Sequence, residues 1–263
     1  MPARYPERIV CLTEETTETL YLLGEERRIV GISGYTVRPP RARREKPRVS
    51  AFLSAKNDAI LALRPDLVLG FSDLQADIAR ELAKAGLNVV LFNQRSVDEI
   101  LSMILMLSSM VDAQVKGKEL IGKLEAGLAE IRRSASKLKK RPKVYFEEWD
   151  EPMISAIRWV SELVGIAGGE DVFSEKSTSA AASGRIVDSA AVIERSPEVL
   201  IASWCGKKFR PEKVKAREGW SAIPAVRENR LYEIKSAEIL QPGPAALTDG
   251  VRRLHELISA CAR

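Results

Sequence analysis

Two kinds of apolar pattern alternate along the chain. Short continuous runs such as residues 8–12 (RIVCL) and 28–32 (RIVGI) are too brief for helices, so they read as buried strands. Between them residues 18–23 carry a helical pattern that stops at Gly24, a residue suited to a helix C-terminus. The polar run Thr13-Glu14-Glu15-Thr16-Thr17 joins the first strand to that helix.

The same order returns in the second half. Residues 143–146 (KVYF) read as a strand and residues 147–150 (EEWD) as a polar turn. Residues 154–167 read as a helix, with Ile157, Val160, Val164 and Ala167 at helical spacing and Gly168-Gly169 ending it. A second matching pair is sharper: ILALRPDLVLGFS (60–72) and VIERSPEVLIASW (192–204) each give a helix end, a proline turn and a buried strand. Two such repeats predict two βα lobes with parallel sheets. Residues 97–140 contain no proline and carry two helical patterns, Ile100-Ile104-Leu107-Val111 and Leu120-Leu124-Leu128-Ile131. The division expected is an N-terminal α/β lobe (1–96), a helical segment between the lobes (97–141) and a C-terminal α/β lobe (142–263). Ligands of open α/β sheets lie beyond the carboxyl ends of the strands, so a cleft between the lobes is the expected site.

Composition removes several classes of function. The net charge of +5 is spread among acidic residues and does not argue for nucleic acid. The three cysteines, Cys11, Cys205 and Cys261, are far apart and make neither a disulfide framework nor a metal motif. The most apolar window, residues 100–111, is shorter than the about 20 residues that span a membrane. His255 is the only histidine, which excludes His-rich metal sites and most Ser-His or Cys-His catalysis. The phosphate-cradling glycine loops and the GxSxG elbow are absent.

What remains is a set of aromatic and polar residues at strand ends. Tyr35, Phe52, Phe71, Trp149 and Trp204 each follow or end an expected strand, whereas Trp159 reads as helix core. Polar neighbours include Glu15, Glu148 and Gln241. Flat apolar faces with a few polar groups suit a bulky, partly apolar ligand. Two basic stretches, residues 38–48 and 206–217, lie beside these positions and are either solvated loops or attractors of anionic groups. The acid doublets Glu14-Glu15 and Glu147-Glu148 have no role that the sequence fixes.

These segments resemble class III solute-binding proteins of ABC importers, the family of vitamin B12-, ferric siderophore- and haem-binding proteins. The likeness covers nearly the whole chain through RIVCLTEETTETLYLLG, VGISGYTVRPP, ILALRPDLVLGFS, the central helical segment, SELVGIAGGEDVF and SPEVLIASW. It implies an α/β fold of two Rossmann-like lobes joined by one long rigid helix, with the ligand in the cleft and no enzymatic activity. Cobalamin-binding members are the most similar, which implies a corrinoid ligand and no intrinsic cofactor or metal. Tyr35, Phe52, Phe71, Trp149 and Trp204 would pack on the macrocycle, and Glu15, Glu148 and Gln241 would hydrogen-bond its amide arms. Permease subunits are the implied partner, docking through Asp77 and Glu212 on a monomer. The family is periplasmic, while the N-terminal residues show no signal-peptide pattern, so the expectation is either a cytoplasmic protein or one whose export segment has been removed from this sequence. The alternatives are the same fold binding a ferric siderophore or haem, and a cytosolic tetrapyrrole enzyme such as a chelatase. In the first, Arg38, Arg158 and Arg210 would pair with anionic groups and Tyr35 or Tyr145 could ligate iron. The second would need metal-binding histidines.

Overall fold

The computed structural model describes residues 5–262. They divide into two compact units: residues 5–94 with 98–123, and residues 95–97 with 124–262. The division falls inside the 22-residue helix Gln114–Ala135, between Lys123 and Leu124. The two helical patterns expected in the segment are two helices, Val97–Met110 and Gln114–Ala135. They are separated at Asp112, whose φ of 60° breaks the helical run.

Unit 1 is built on a five-stranded parallel sheet in the order β3-β2-β1-β4-β5. The strands are β1 (Ile9–Cys11), β2 (Ile29–Ser33), β3 (Arg48–Ser50), β4 (Leu67–Phe71) and β5 (Val89–Phe92). β1 and β4 are buried at every position, which is why their sequences are apolar throughout and do not alternate. Val10, Leu12, Val49, Ile60, Val68 and Leu82 pack into an aliphatic core on one face.

Unit 2 holds a mixed sheet, β10-β9-β6-β7, with β8 also paired to β6. Its strands are β6 (Lys143–Asp150), β7 (Met153–Ser155), β8 (Glu170–Asp171), β9 (Val199–Ala202) and β10 (Leu231–Glu233). β8, β9 and β10 run parallel to their partners, whereas β7 is antiparallel to β6. Here the core is aromatic. Tyr145 meets Phe173 and Trp220 edge-on, with centroids 5.5 and 6.2 Å apart. Trp159, expected in the core, is buried and donates its indole N–H to the Ile239 carbonyl at 2.9 Å.

Two local expectations are corrected. The polar turn at 147–150 is strand: β6 continues to Asp150 and folds back as a hairpin, pairing Asp150 with Met153 and Glu147 with Ser155. The helix expected from residue 154 therefore begins at Arg158. His255 is structural, placed 2.9 Å from the Ala167 carbonyl and 2.8 Å from the Ser134 hydroxyl.

Candidate functional site

In unit 1 the carboxyl ends of the strands carry an exposed apolar face. Tyr35 after β2, Leu53 after β3 and Leu74 after β4 are 64, 69 and 58% exposed. Phe52 beside them is half-buried and Phe71 is buried. Gln75 fixes this end of the sheet: it is fully buried, its Oε1 accepts the Phe71 N–H and its Nε2 donates to the Phe52 carbonyl, both at 2.9 Å. Gly70 makes room for it, since a Cβ there would stand 2.6 Å from the Gln75 Oε1. Leu74 lies outward on the turn after Ser72, whose hydroxyl accepts the Leu74 N–H.

Behind this face the chain leaves β1 and enters the helix Glu14–Leu22, which is buried from Glu14 through Tyr21. Glu14 and Glu15 occupy its first turn. The Val37 N–H donates to Glu14 Oε2 at 3.2 Å, and the Thr13 hydroxyl donates to Glu15 Oε1 at 2.5 Å. Glu14 Oε1 and Glu15 Oε2 are buried without a hydrogen-bond partner. A helix N-terminus favours carboxylate charge, but burial outweighs it. Loss of solvent pushes the Glu14 carboxyl up to about 8 and that of Glu15 to about 7. The third acid of this helix, Glu18, pairs with Arg38 at 2.9 Å.

The equivalent strand end of unit 2 is saturated with cations. Strand geometry sends neighbouring side chains to opposite faces. Glu147 thus turns inward to full burial, while Glu148 lies on the other side, half-buried. Arg217 grips Glu147 through two bonds of 2.6 and 3.0 Å, and the Trp204 indole and Tyr145 hydroxyl add bonds of 2.9 and 3.1 Å. Burial pushes the Glu147 carboxyl up, and these donors oppose it. Arg185, itself buried, grips Glu148 at 2.6 and 3.2 Å and the Ser155 carbonyl at 2.7 Å.

These contacts reassign several expected residues. Trp204 is 3% exposed, meets Phe209 edge-on at 5.1 Å and serves as a hydrogen-bond donor to Glu147, so its ring is core. Trp149 is half-buried; its N–H goes to the Glu151 carbonyl and the Lys207 ammonium sits 3.8 Å from its ring centroid. Gln241 is half-buried, between the helix Ser236–Ile239 and the C-terminal helical run. Asp77 projects fully, with its side chain 89% exposed and 3.3 Å from Arg80. Glu212 is exposed in the first turn of the helix Pro211–Lys215. Tyr35, Phe52, Phe71 and Glu15 belong to unit 1, and Glu148, Trp149, Trp204 and Gln241 to unit 2.

Of the residues weighed for anionic ligands, Arg38 and Arg158 are engaged by Glu18 and Glu162, and Arg210 is exposed. Tyr145 is fully buried against Glu147 and has no open face for iron. Sequence reasoning missed Gln75 and Arg185, and marked Lys207 and Arg217 only as part of the basic stretch 206–217. Each acts on at least one partner distant in sequence, and no local pattern marks such a pairing. Among the described residues no group of three potential ligand side chains could hold a metal ion, and no helix is long and apolar enough to cross a membrane.

Comparison with known proteins gives these faces a context. The periplasmic binding protein family matches residues 9–238. An uncharacterized ABC transporter substrate-binding lipoprotein of Bacillus subtilis is 25% identical over 96% of this chain and 80% of its own length. A vitamin B12-binding protein of Vibrio parahaemolyticus is 26% identical, covering 97% of this chain and 88% of its own. A solved structure of a possible iron-binding, periplasmic solute-binding protein from Staphylococcus epidermidis shares the fold. Its TM-score is 0.84 at 23% identity, over 97% of this chain and 99% of that one.

Proposed function

The chain belongs to the periplasmic binding protein family, and from that premise we propose that it binds a corrinoid for an ABC importer. The family is one of solute-binding proteins, and the ABC-type substrate-binding role is shared by the chain's relatives. The observation that carries the ligand assignment is the exposed apolar face of unit 1. Tyr35, Leu53 and Leu74 stand out on three different strand-end loops, and exposed apolar side chains at the strand ends suit a binding face. The vitamin B12-binding relative supports a corrinoid as its occupant.

In this reading Tyr35 and Phe52 pack on the ligand, and Phe71 backs them from the core. Trp149 offers the ring face that Lys207 leaves open. Glu148 and Gln241 meet polar arms, while Trp204 supports the site from behind. Glu15 joins this set as an acid that burial keeps partly protonated at neutral pH. Asp77 and Glu212 are the acidic positions from which each unit would dock on a permease. The ferric-chelate alternative loses Arg38 and Arg158 to ion pairs and Tyr145 to the core, and nothing in the site favours a chelatase.

Calorimetric titration of the purified protein with cobalamin, haem and a ferric hydroxamate siderophore tests the assignment. The expected result is saturable binding of cobalamin alone, with micromolar or tighter affinity. Absence of heat with cobalamin, or tighter binding of either iron chelate, overturns it.

A further inference from the structure

A cavity of about 400 Å³ opens in unit 2 at the carboxyl ends of β9 and β10, lined by Trp204, Lys207, Lys208, Glu233, Ile234 and Lys235 among others. Its loop is pinned at both ends. The Lys207 N–H closes a turn on the Trp204 carbonyl at 3.1 Å, and Gly206 takes the left-handed φ of 75° that this turn requires. Phe209 anchors the far end: its N–H reaches Glu233 at 3.3 Å and its ring packs edge-on against Trp204. The lysines between these anchors are thus held on a fixed loop.

Three ammonium groups and one carboxylate line the opening. Lys207 is committed to Asp150 at 2.8 Å, and Lys235 to Glu233 at 2.7 Å. Lys208 is exposed and forms no ion pair among the described residues. Lysine acts on phosphate as a mobile point charge, without the planar geometry that arginine imposes. The apolar floor of Trp204 and Ile234 suits an anionic group carried on a larger organic body.

We propose that this cavity takes the phosphodiester of the ligand, with Lys208 as its principal cation and Lys207 as the second. The inference rests on the corrinoid reading and deepens it, because it assigns the nucleotide loop of the corrinoid to unit 2. Lys207 then links the two parts of the ligand, since it touches both the Trp149 ring and the cavity. It also gives Lys207 and Lys208, within the basic stretch 206–217, a binding role beyond that of a solvated loop.

The test titrates wild type and Lys208→Gln with cobalamin and with cobinamide, a corrinoid that lacks the nucleotide loop. Lys208 is exposed, so the variant is expected to fold. The expected result is an about three- to tenfold loss of cobalamin affinity, no change for cobinamide, and a shallower salt dependence. An equal effect on both ligands, or none on cobalamin, overturns the inference and leaves the corrinoid reading standing. A parallel titration with millimolar inorganic phosphate, followed by tryptophan fluorescence, separates the two claims. If neither corrinoid binds but phosphate gives a response that Lys208→Gln abolishes, the anion site stands and the corrinoid reading falls. No response to phosphate or to either corrinoid overturns both.

Discussion

The two acid doublets are alike in sequence and opposite in physics. Glu14-Glu15 and Glu147-Glu148 both lie just past the buried start of a sheet strand, β1 in one unit and β6 in the other. In unit 1 the chain turns into a helix at that point, and both acids fall in one buried helical turn, with no ion pair to either among the described residues. In unit 2 the strand continues, so the acids part to opposite faces and each meets its own arginine. The first pair therefore evades the cost of buried charge by staying protonated near neutrality, whereas the second meets that cost with counter-charges. Secondary structure, more than residue identity, decides which solution a carboxylate adopts.

The sharpest way to break the contrast is to remove a counter-charge. Arg217→Ala would leave Glu147 fully buried with only the Trp204 and Tyr145 donors. Breaking a buried pair from one side costs about 3–5 kcal/mol, to be read from urea denaturation. Adding Glu147→Gln to the variant should recover part of the loss, because a neutral amide needs no cation. A loss under about 1 kcal/mol would mean that the pair is not a structural element of unit 2.

A smaller effect is expected from unit 1, and it depends on pH. Glu14 and Glu15 hold their protons in the folded chain up to about 8 and about 7, against an ordinary value of 4.5. Between those limits the unfolded chain binds fewer protons than the native one, so stability falls as pH rises. The contribution is complete below about pH 4.5 and lost by about pH 8. Melting curves of wild type should therefore decline across that window. The double variant Glu14→Gln with Glu15→Gln should remove most of the slope and gain about 1–3 kcal/mol at the alkaline end. Any remaining slope belongs to Glu147 and Asp171, whose carboxyls burial also pushes up. An unchanged profile would show that the two acids already ionise in the folded chain.

How much of this was legible in sequence divides along the same line. The β1 and β4 strands of unit 1 and the β9 strand of unit 2 were readable, because strands buried on both faces write themselves as unbroken apolar runs. Trp159 was readable as core from its helical neighbours. The β6–β7 hairpin was not, because Glu147 to Asp150 is polar enough to pass for a turn. Arg217, Arg185 and Lys207, distant in sequence, make Glu147, Glu148 and Asp150 acceptable in a strand. Trp204 was legible only in part for a related reason. An aromatic at a strand end is equally consistent with a wall and with a post, and Trp204 is buried with its N–H on Glu147 while it still lines the cavity of unit 2. Tyr35 is the opposite case, an aromatic whose exposure has no structural partner to explain it.

That difference supplies the mildest test on stability. Tyr35→Ala removes a ring that is 64% exposed, so denaturation should move by no more than about 0.5 kcal/mol. Its effect should appear in binding instead. An aromatic anchor contributes about 1–2 kcal/mol to an interface beyond its neighbours, so cobalamin affinity should fall about tenfold in calorimetry. Loss of binding with unchanged stability would separate the exposed face of unit 1 from the aromatic core of unit 2. A variant that binds as wild type does would leave Tyr35 without a place in the ligand wall, and the assignment would then rest on Phe52, Leu53 and Leu74.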